Sequence, residues 1–200
     1  KSAGFAELVC SNSLKAERPD SASGLLKLEM KEMGSHLLPC AEDTRVAAGG
    51  ALAVDRDRFS AAVTALVKNH PNITVVEGEV TSIDEAAPIL VASGPLTDGA
   101  LADAIAALAG GQQLSFYDAV APIVTAESLD YDKVFAASRY GRGEADYLNC
   151  PFNKAEYEAF HEALVTAERA PRHEADAGLT VYEGCMPIEV MAARGADTIR

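Results

Sequence analysis

The stretch from Asp55 to Gly111 constrains the fold most, because two strand-like runs sit there between two helical patterns. Asp55 opens the first helix, on which Phe59, Val63, Leu66 and Val67 share an apolar face, and Asn69-His70-Pro71 closes it. ITVVEGEVTSI and PILVASG follow. The second is a continuous apolar burst of the kind found in parallel strands buried on both faces. Thr97 then caps a helix carrying Leu101, Ile105 and Leu108 on one side before Gly110-Gly111. Helix, strand, strand, helix in this order reads as an α/β fold.

The flanking regions have other textures. SGLLKLEMKEMG (23–34) places Leu26, Met30 and Met33 at helical spacing, with Gly34 as the stop. From Leu114 onward, LSFYDAVAPIV, KVFAASRY and ADYLNC are short aromatic and β-branched runs broken by Gly, Asp and Pro, the pattern of an antiparallel sheet. Asn153 with Glu156 makes a capping-box start for a helix bearing Tyr157, Phe160 and Leu164. Two subdomains are expected: residues 1–95 with 183–200, and an inserted mixed α+β piece over 96–182.

With 200 residues, 48% of them hydrophobic and 24% charged, the chain is an ordinary globular one with a core large enough to need no staples. No apolar run is long enough to span a bilayer, and no basic-then-apolar segment opens the sequence, so a cytoplasmic protein is expected. The four cysteines, Cys10, Cys40, Cys150 and Cys185, form no CxxC pair and read as free thiols. His36, His70, His161 and His173 are scattered without metal-ligand spacing, so no metal is expected. GxSxG is absent, which argues against a serine hydrolase. Asp20, Asp43, Asp55 and Asp57 read as caps and turns. His161-Glu162 reads as a solvated helix edge. A net charge of −13 without any Lys/Arg run argues against a generic phosphate-binding surface. Lys at position 1 and the ending ARGADTIR lead to the expectation that the sequence is an internal piece of a longer protein.

Several motifs carry chemistry, each beside a plainer reading. ILVASGP ends a strand in Ser93-Gly94. In flavoproteins with two dinucleotide folds a similar turn lets backbone approach the cofactor, which only glycine tolerates, although a strand followed by a turn glycine is commonly structural. GxGxxG is absent, and GRGEAD (141–146) lacks both its third glycine and its strand-to-helix context. Gly49-Gly50, near Arg45, is either a second point of backbone approach or a simple turn. Cys10 in ELVCSNSL and Cys185 in YEGCMPIEV sit beside turn formers rather than inside apolar runs. They are either small core residues or thiols whose loops favour the thiolate.

FAELVCSNSL, GLLKLEMKEMGS, DTRVAAGGALAVDRDRFS, VASGPLTDGALADAI, FYDAVAPIV, ASRYGRGEADYLNCP and YEGCMPIEVMAARG occur in this order. Together they closely resemble the folate- and FAD-dependent tRNA uracil-5-methyltransferases (TrmFO), relatives of the GidA/MnmG tRNA-modification flavoproteins, over essentially the whole chain. The resemblance implies a partial FAD-binding Rossmann-like domain with an inserted subdomain. It implies FAD as cofactor, methylenetetrahydrofolate and NAD(P)H as substrates, and the T-loop uridine of tRNA as target. It carries the nucleophile to Cys185 and a second functional thiol, as base or flavin-adduct thiol, to Cys10. Cys40 and Cys150 would be structural. The expected cofactor-binding set is Ser93, Gly94, Val80, Gly49, Gly50 and Arg45, with Arg45 and Arg139 also open to phosphate or folate contacts or to plain surface pairing. The glycine-rich FAD segment is missing from the stretch, so these residues alone are expected to be inactive. A flavoprotein acting in wobble-uridine modification or assembly, without methyl transfer, is the competing expectation.

Overall fold

The computed structural model describes residues 4–9, 11–84, 86–110, 124–138, 141, 143–169 and 186–199. The chain divides into two compact units, residues 1–75 with 122–151 and residues 76–121 with 152–200.

The first unit is built on a three-stranded antiparallel sheet in the order β1-β3-β2, with β1 Ser13–Ala16, β2 Arg45–Val46 and β3 Ala51–Val54. The central strand, ALAV, is apolar at every position because helices cover it. Leu52 and Val54 are fully buried and pack with Ala41, Phe59 and Val63. Ala41 lies on α2 (Leu37–Asp43), and Phe59 and Val63 lie on α3 (Arg56–Lys68). The predicted helix after Asp55 forms, and the Asp55 carboxylate accepts the Arg58 N–H at 3.0 Å, satisfying one amide of the first turn. Leu66, placed on the same face by periodicity, remains 38% exposed.

The predicted helix at 23–34 is α1, Ala22–Glu32, and Gly34 follows it at φ +75°. Ser21 caps it by accepting the Gly24 N–H at 3.1 Å. Gly24 is the docking point of α1: a Cβ there would lie 1.8 Å from the Arg18 carbonyl oxygen. The same unit holds the antiparallel pair β4 (Phe135–Ala137) and β5 (Tyr147–Asn149), formed by the KVFAASRY and ADYLNC runs.

In the second unit, α4 (Gly99–Leu108) is a ten-residue helix, and α5 (Lys154–Thr166) packs on the short α6 (Ile188–Ala192). The capping box forms as read: Asn153 Oδ1 accepts Glu156 N–H at 3.0 Å, and Glu156 Oε2 accepts Asn153 N–H at 2.8 Å. Phe160 stacks on Phe152 with centroids 5.3 Å apart. His161 is not a solvated edge. Its Nε2 lies 3.0 Å from the Ala192 carbonyl at the end of α6, and Tyr157 Oη donates to the Ala196 carbonyl.

Two expectations are corrected. ITVVEGEVTSI and PILVASG form no strand among the described residues, and Val76, Val80, Ile89 and Leu90 are exposed, Leu90 at 90%. A parallel strand draws all its ladder bonds from neighbouring strands. No described strand pairs with this stretch, and its apolar side chains stay exposed. The described sheets are antiparallel, and the fold is mixed helix and strand without a described parallel sheet. Thr97, for its part, is not the cap of α4. Asp98 holds that position, and the Thr97 hydroxyl turns back to donate to the Gly94 carbonyl at 2.7 Å.

Candidate functional site

The two thiols singled out by their surrounding words, Cys10 and Cys185, lie outside the described residues, as does Arg139. The chain next to each is ordered by contacts that the described residues show. After Cys10, Asn12 is locked to β3 in both directions: its side-chain amide donates to the Val54 carbonyl at 3.0 Å, and its own carbonyl accepts the Val54 N–H at 2.9 Å. After Cys185, Pro187 leads into α6, and Thr198 Oγ1 folds the following turn back onto the Met191 carbonyl at 2.5 Å.

Ser93 and Gly94 form the turn that sequence alone proposed. Gly94 adopts φ +88°, a backbone that L side chains rarely take, and no atom lies within 4 Å of where its Cβ would stand. Thr97 gives its hydroxyl proton to Gly94, so Ser93 Oγ donates to Thr97 Oγ1 at 2.7 Å. The turn is thus pinned from within, with open space beside the glycine. Val80 lies in the same unit, 59% exposed.

Gly49 and Gly50 form the turn between β2 and β3, with Gly49 at φ +58°. The backbone that approaches them is the chain's own. Gly143, at φ +80°, comes so close that a Cβ would lie 3.2 Å from both the Gly49 carbonyl carbon and the Gly50 nitrogen. The Gly49 N–H donates to Asp146 Oδ2 at 2.7 Å, and Tyr147 Oη donates to the Ala48 carbonyl at 2.8 Å. Gly143, Asp146 and Tyr147 therefore clasp this turn. GRGEAD thus makes no phosphate loop here; its second glycine, Gly143, lets two backbones meet.

Arg45, on β2, is engaged by two carboxylates. It makes two bonds to Glu17, at 2.7 and 2.5 Å, and two to Glu42 Oε2, at 3.1 and 2.8 Å. Hydrogen bonding to Glu17 and then to Glu42 raises the guanidinium pKa further above its ordinary value. The hydrogen bond from Arg45 holds the Glu17 carboxyl below its usual range, against a smaller opposing effect of burial. Glu17 was not singled out in the sequence, because a pairing across 28 residues leaves no local signal.

The free thiols that are described differ in setting. Cys40 is partly buried against the core with its Sγ 3.5 Å from the His36 carbonyl, whereas Cys150 is exposed. No group of three or more His, Cys, Asp or Glu side chains among the described residues is placed to hold a metal. No described helix is long and apolar enough to cross a membrane.

The comparisons with known proteins accord with the motif order. The family model described as glucose inhibited division protein A matches residues 1–200. The chain is 59% identical over 196 residues to the methylenetetrahydrofolate–tRNA-(uracil-5-)-methyltransferase TrmFO of Moorella thermoacetica, covering 98% of this chain and 45% of that protein. It is 56% identical over 199 residues to the enzyme of the same name from Desulforudis audaxviator, and 54% identical over 199 residues to that of Streptococcus sanguinis, in each case covering 100% of this chain and 45% of the relative. The chain thus belongs to the glucose inhibited division protein A family. It spans about 45% of the length of the curated relatives it matches.

Proposed function

We propose that the protein containing this chain is a folate- and FAD-dependent tRNA uracil-5-methyltransferase. The observation that carries the reading is identity of 52–59% to relatives bearing that name, across essentially the whole of the chain. Carbon 5 of uracil becomes nucleophilic only after a nucleophile adds at carbon 6, so the reaction needs a thiolate, and Cys185 is proposed to supply it. A base must then remove the proton at carbon 5, and Cys10 is proposed for that role or for protecting the flavin adduct. When bound, FAD would carry the one-carbon unit from methylenetetrahydrofolate, with NAD(P)H as reductant.

The open left-handed turn at Gly94 supports Ser93 and Gly94 as flavin contacts, and exposed Val80 is proposed beside them. Gly49, Gly50 and Arg45 are proposed as further contributors. Their commitment to Asp146, Gly143, Glu17 and Glu42 makes them rigid supports more than free ligands. A Rossmann-like FAD domain over 1–95 and 183–200, with 96–182 inserted, belongs to the same proposal.

Replacing Cys185 by Ala in the whole protein should abolish 5-methyluridine formation in the T-loop. Retained activity would overturn the assignment. Mass spectrometry of tRNA from a deletion strain separates the competing reading: loss of the T-loop methyl group supports the methyltransferase, and loss of a wobble-uridine modification supports the flavoprotein without methyl transfer.

A further inference from the structure

A tRNA substrate poses a difficulty for a chain of net charge −13, and the arginines nearest β1 do not resolve it, because they are already taken. Arg45 is spent on Glu17 and Glu42, and Arg18 on Asp20. These pairs also have a second effect: the carboxylates of Glu17, Asp20 and Glu42 are neutralised where they stand. Lys15, on β1 itself, is one of the cations of this unit that stay uncommitted. It is exposed, and its side chain makes no ion pair or hydrogen bond among the described residues.

Lys15 is also held in a conformation that its residue type does not favour. Its φ is +70°, in the left-handed region that glycine, asparagine and aspartate visit but lysine rarely does. It lies where the β1–β3 register shifts between Ser13 and Ala16, the kind of ladder irregularity that can re-aim a side chain. Contacts on both sides impose the geometry. The Lys15 N–H donates to Ser13 Oγ at 3.1 Å, Asn12 is locked to Val54, and the Ala16 carbonyl accepts from Lys27 Nζ at 3.0 Å and Ser23 Oγ at 3.2 Å. A left-handed backbone at an exposed non-glycine residue points to a use for its side chain outside the fold. Glycine would satisfy the same backbone without strain.

We infer that Lys15 is a phosphate-contacting residue for the tRNA backbone, presented by the β1 bulge beside the Cys10 word. The inference rests on the methyltransferase reading and adds the residue through which this acidic chain grips its polyanionic substrate. A lysine at one phosphate releases about one counterion, so it contributes to affinity in a salt-dependent, sequence-independent way.

The test uses the whole protein and its purified, unmethylated tRNA, with Kd measured by anisotropy from 50 to 200 mM salt for wild type, Lys15→Gln, Lys15→Arg and Lys15→Gly. Lys15→Gln and Lys15→Gly should bind more weakly and lose about one unit of the log Kd against log salt slope. The wild-type advantage should accordingly shrink roughly threefold across that range. Lys15→Arg should keep the slope. Lys15→Gly should unfold at the same or a higher temperature than wild type while binding more weakly, which a purely structural lysine would not do. An unchanged slope in both Lys15→Gln and Lys15→Gly overturns the inference, as does an unchanged slope with a raised KM for methylenetetrahydrofolate. If the wild-type protein neither binds nor methylates tRNA, the methyltransferase reading itself fails; if it does both and the slopes match, only Lys15 is misassigned.

Discussion

Substituting Gly24 by Ala tests the packing of the first unit, because its effect should run against the usual rule. In a helix, Ala is favoured over Gly by up to about 1 kcal/mol, through propensity and through a less flexible unfolded chain. At Gly24 the added methyl carbon would fall 1.8 Å from the Arg18 oxygen, 2.5 Å from its carbonyl carbon and 2.7 Å from that of Glu17. All three are backbone atoms, so no side chain can rotate away. Ordinary carbon–oxygen contact needs more than 3 Å, and α1 must move outward by more than 1 Å. That movement strains the bonds that seat it: Ser23 Oγ and Lys27 Nζ to the Ala16 carbonyl, and Ser21 Oγ to the Arg18 carbonyl at 2.7 Å. Overpacking of this kind costs about 1–3 kcal/mol, and each hydrogen bond lost adds about 1 kcal/mol. After the propensity gain is subtracted, a net loss of about 2–3 kcal/mol is expected. Urea unfolding of the whole protein, followed by circular dichroism because this chain has no tryptophan, should show a midpoint about 1 M lower. Gly50→Ala is the control, since its φ is not positive and nothing lies within 4 Å of the new carbon. It should leave the midpoint unchanged or slightly raised. If Gly24→Ala matched Gly50→Ala, the docking of α1 on the 17–18 backbone would be wrong.

Other predictions concern charge, capping and the core. Glu17→Gln should cost up to about 1 kcal/mol near neutral pH, since both partners in the Arg45 pair are about one-third exposed. Because the folded-state pKa of Glu17 is depressed, its contribution is full above the ordinary carboxyl pKa and fades as pH falls through the folded value. The two proteins should therefore converge in stability under acid, as denaturant titrations at several pH values would show. Asn153→Ala removes half the capping box of α5 and should cost about 1 kcal/mol in thermal unfolding. Leu52→Ala, at a fully buried site, should cost about 2–5 kcal/mol, whereas Leu66→Ala, at an exposed one, should cost well under that.

Local patterns in the sequence were legible to the extent that local physics decides them. The helix after Asp55, the helix ending near Gly34 and the Asn153–Glu156 box each depend on residues three or four apart, and each forms. The antiparallel pair at 135–149 also follows from a close strand–turn–strand pattern. PILVASG fails for the opposite reason, since a parallel strand exists only through its neighbours and an apolar run cannot announce whether they are there. Thr97 and Asp98 are both capping residue types; the Thr97 hydroxyl is committed to the Gly94 carbonyl, and Asp98 stands at the N-cap without a side-chain cap bond. At the candidate site, the Gly94 turn was readable from its glycine. The clasp of Asp146 and Gly143 on Gly49, across 97 residues in the case of Asp146, was not. The strain at Lys15 was invisible too, because the backbone around it is set by partners on β3 and α1 as well as on its own strand.

The account's central claim is that the Cys185 thiolate attacks the uracil ring. Incubating the whole protein, in its FAD-loaded form, with 5-fluorouridine tRNA, methylenetetrahydrofolate and reductant, then digesting and sequencing the trapped complex, tests it directly. The account predicts the nucleotide covalently attached to the peptide containing Cys185, and no trapped complex in Cys185→Ala. Attachment through Cys10, or trapping that survives Cys185→Ala, would contradict it.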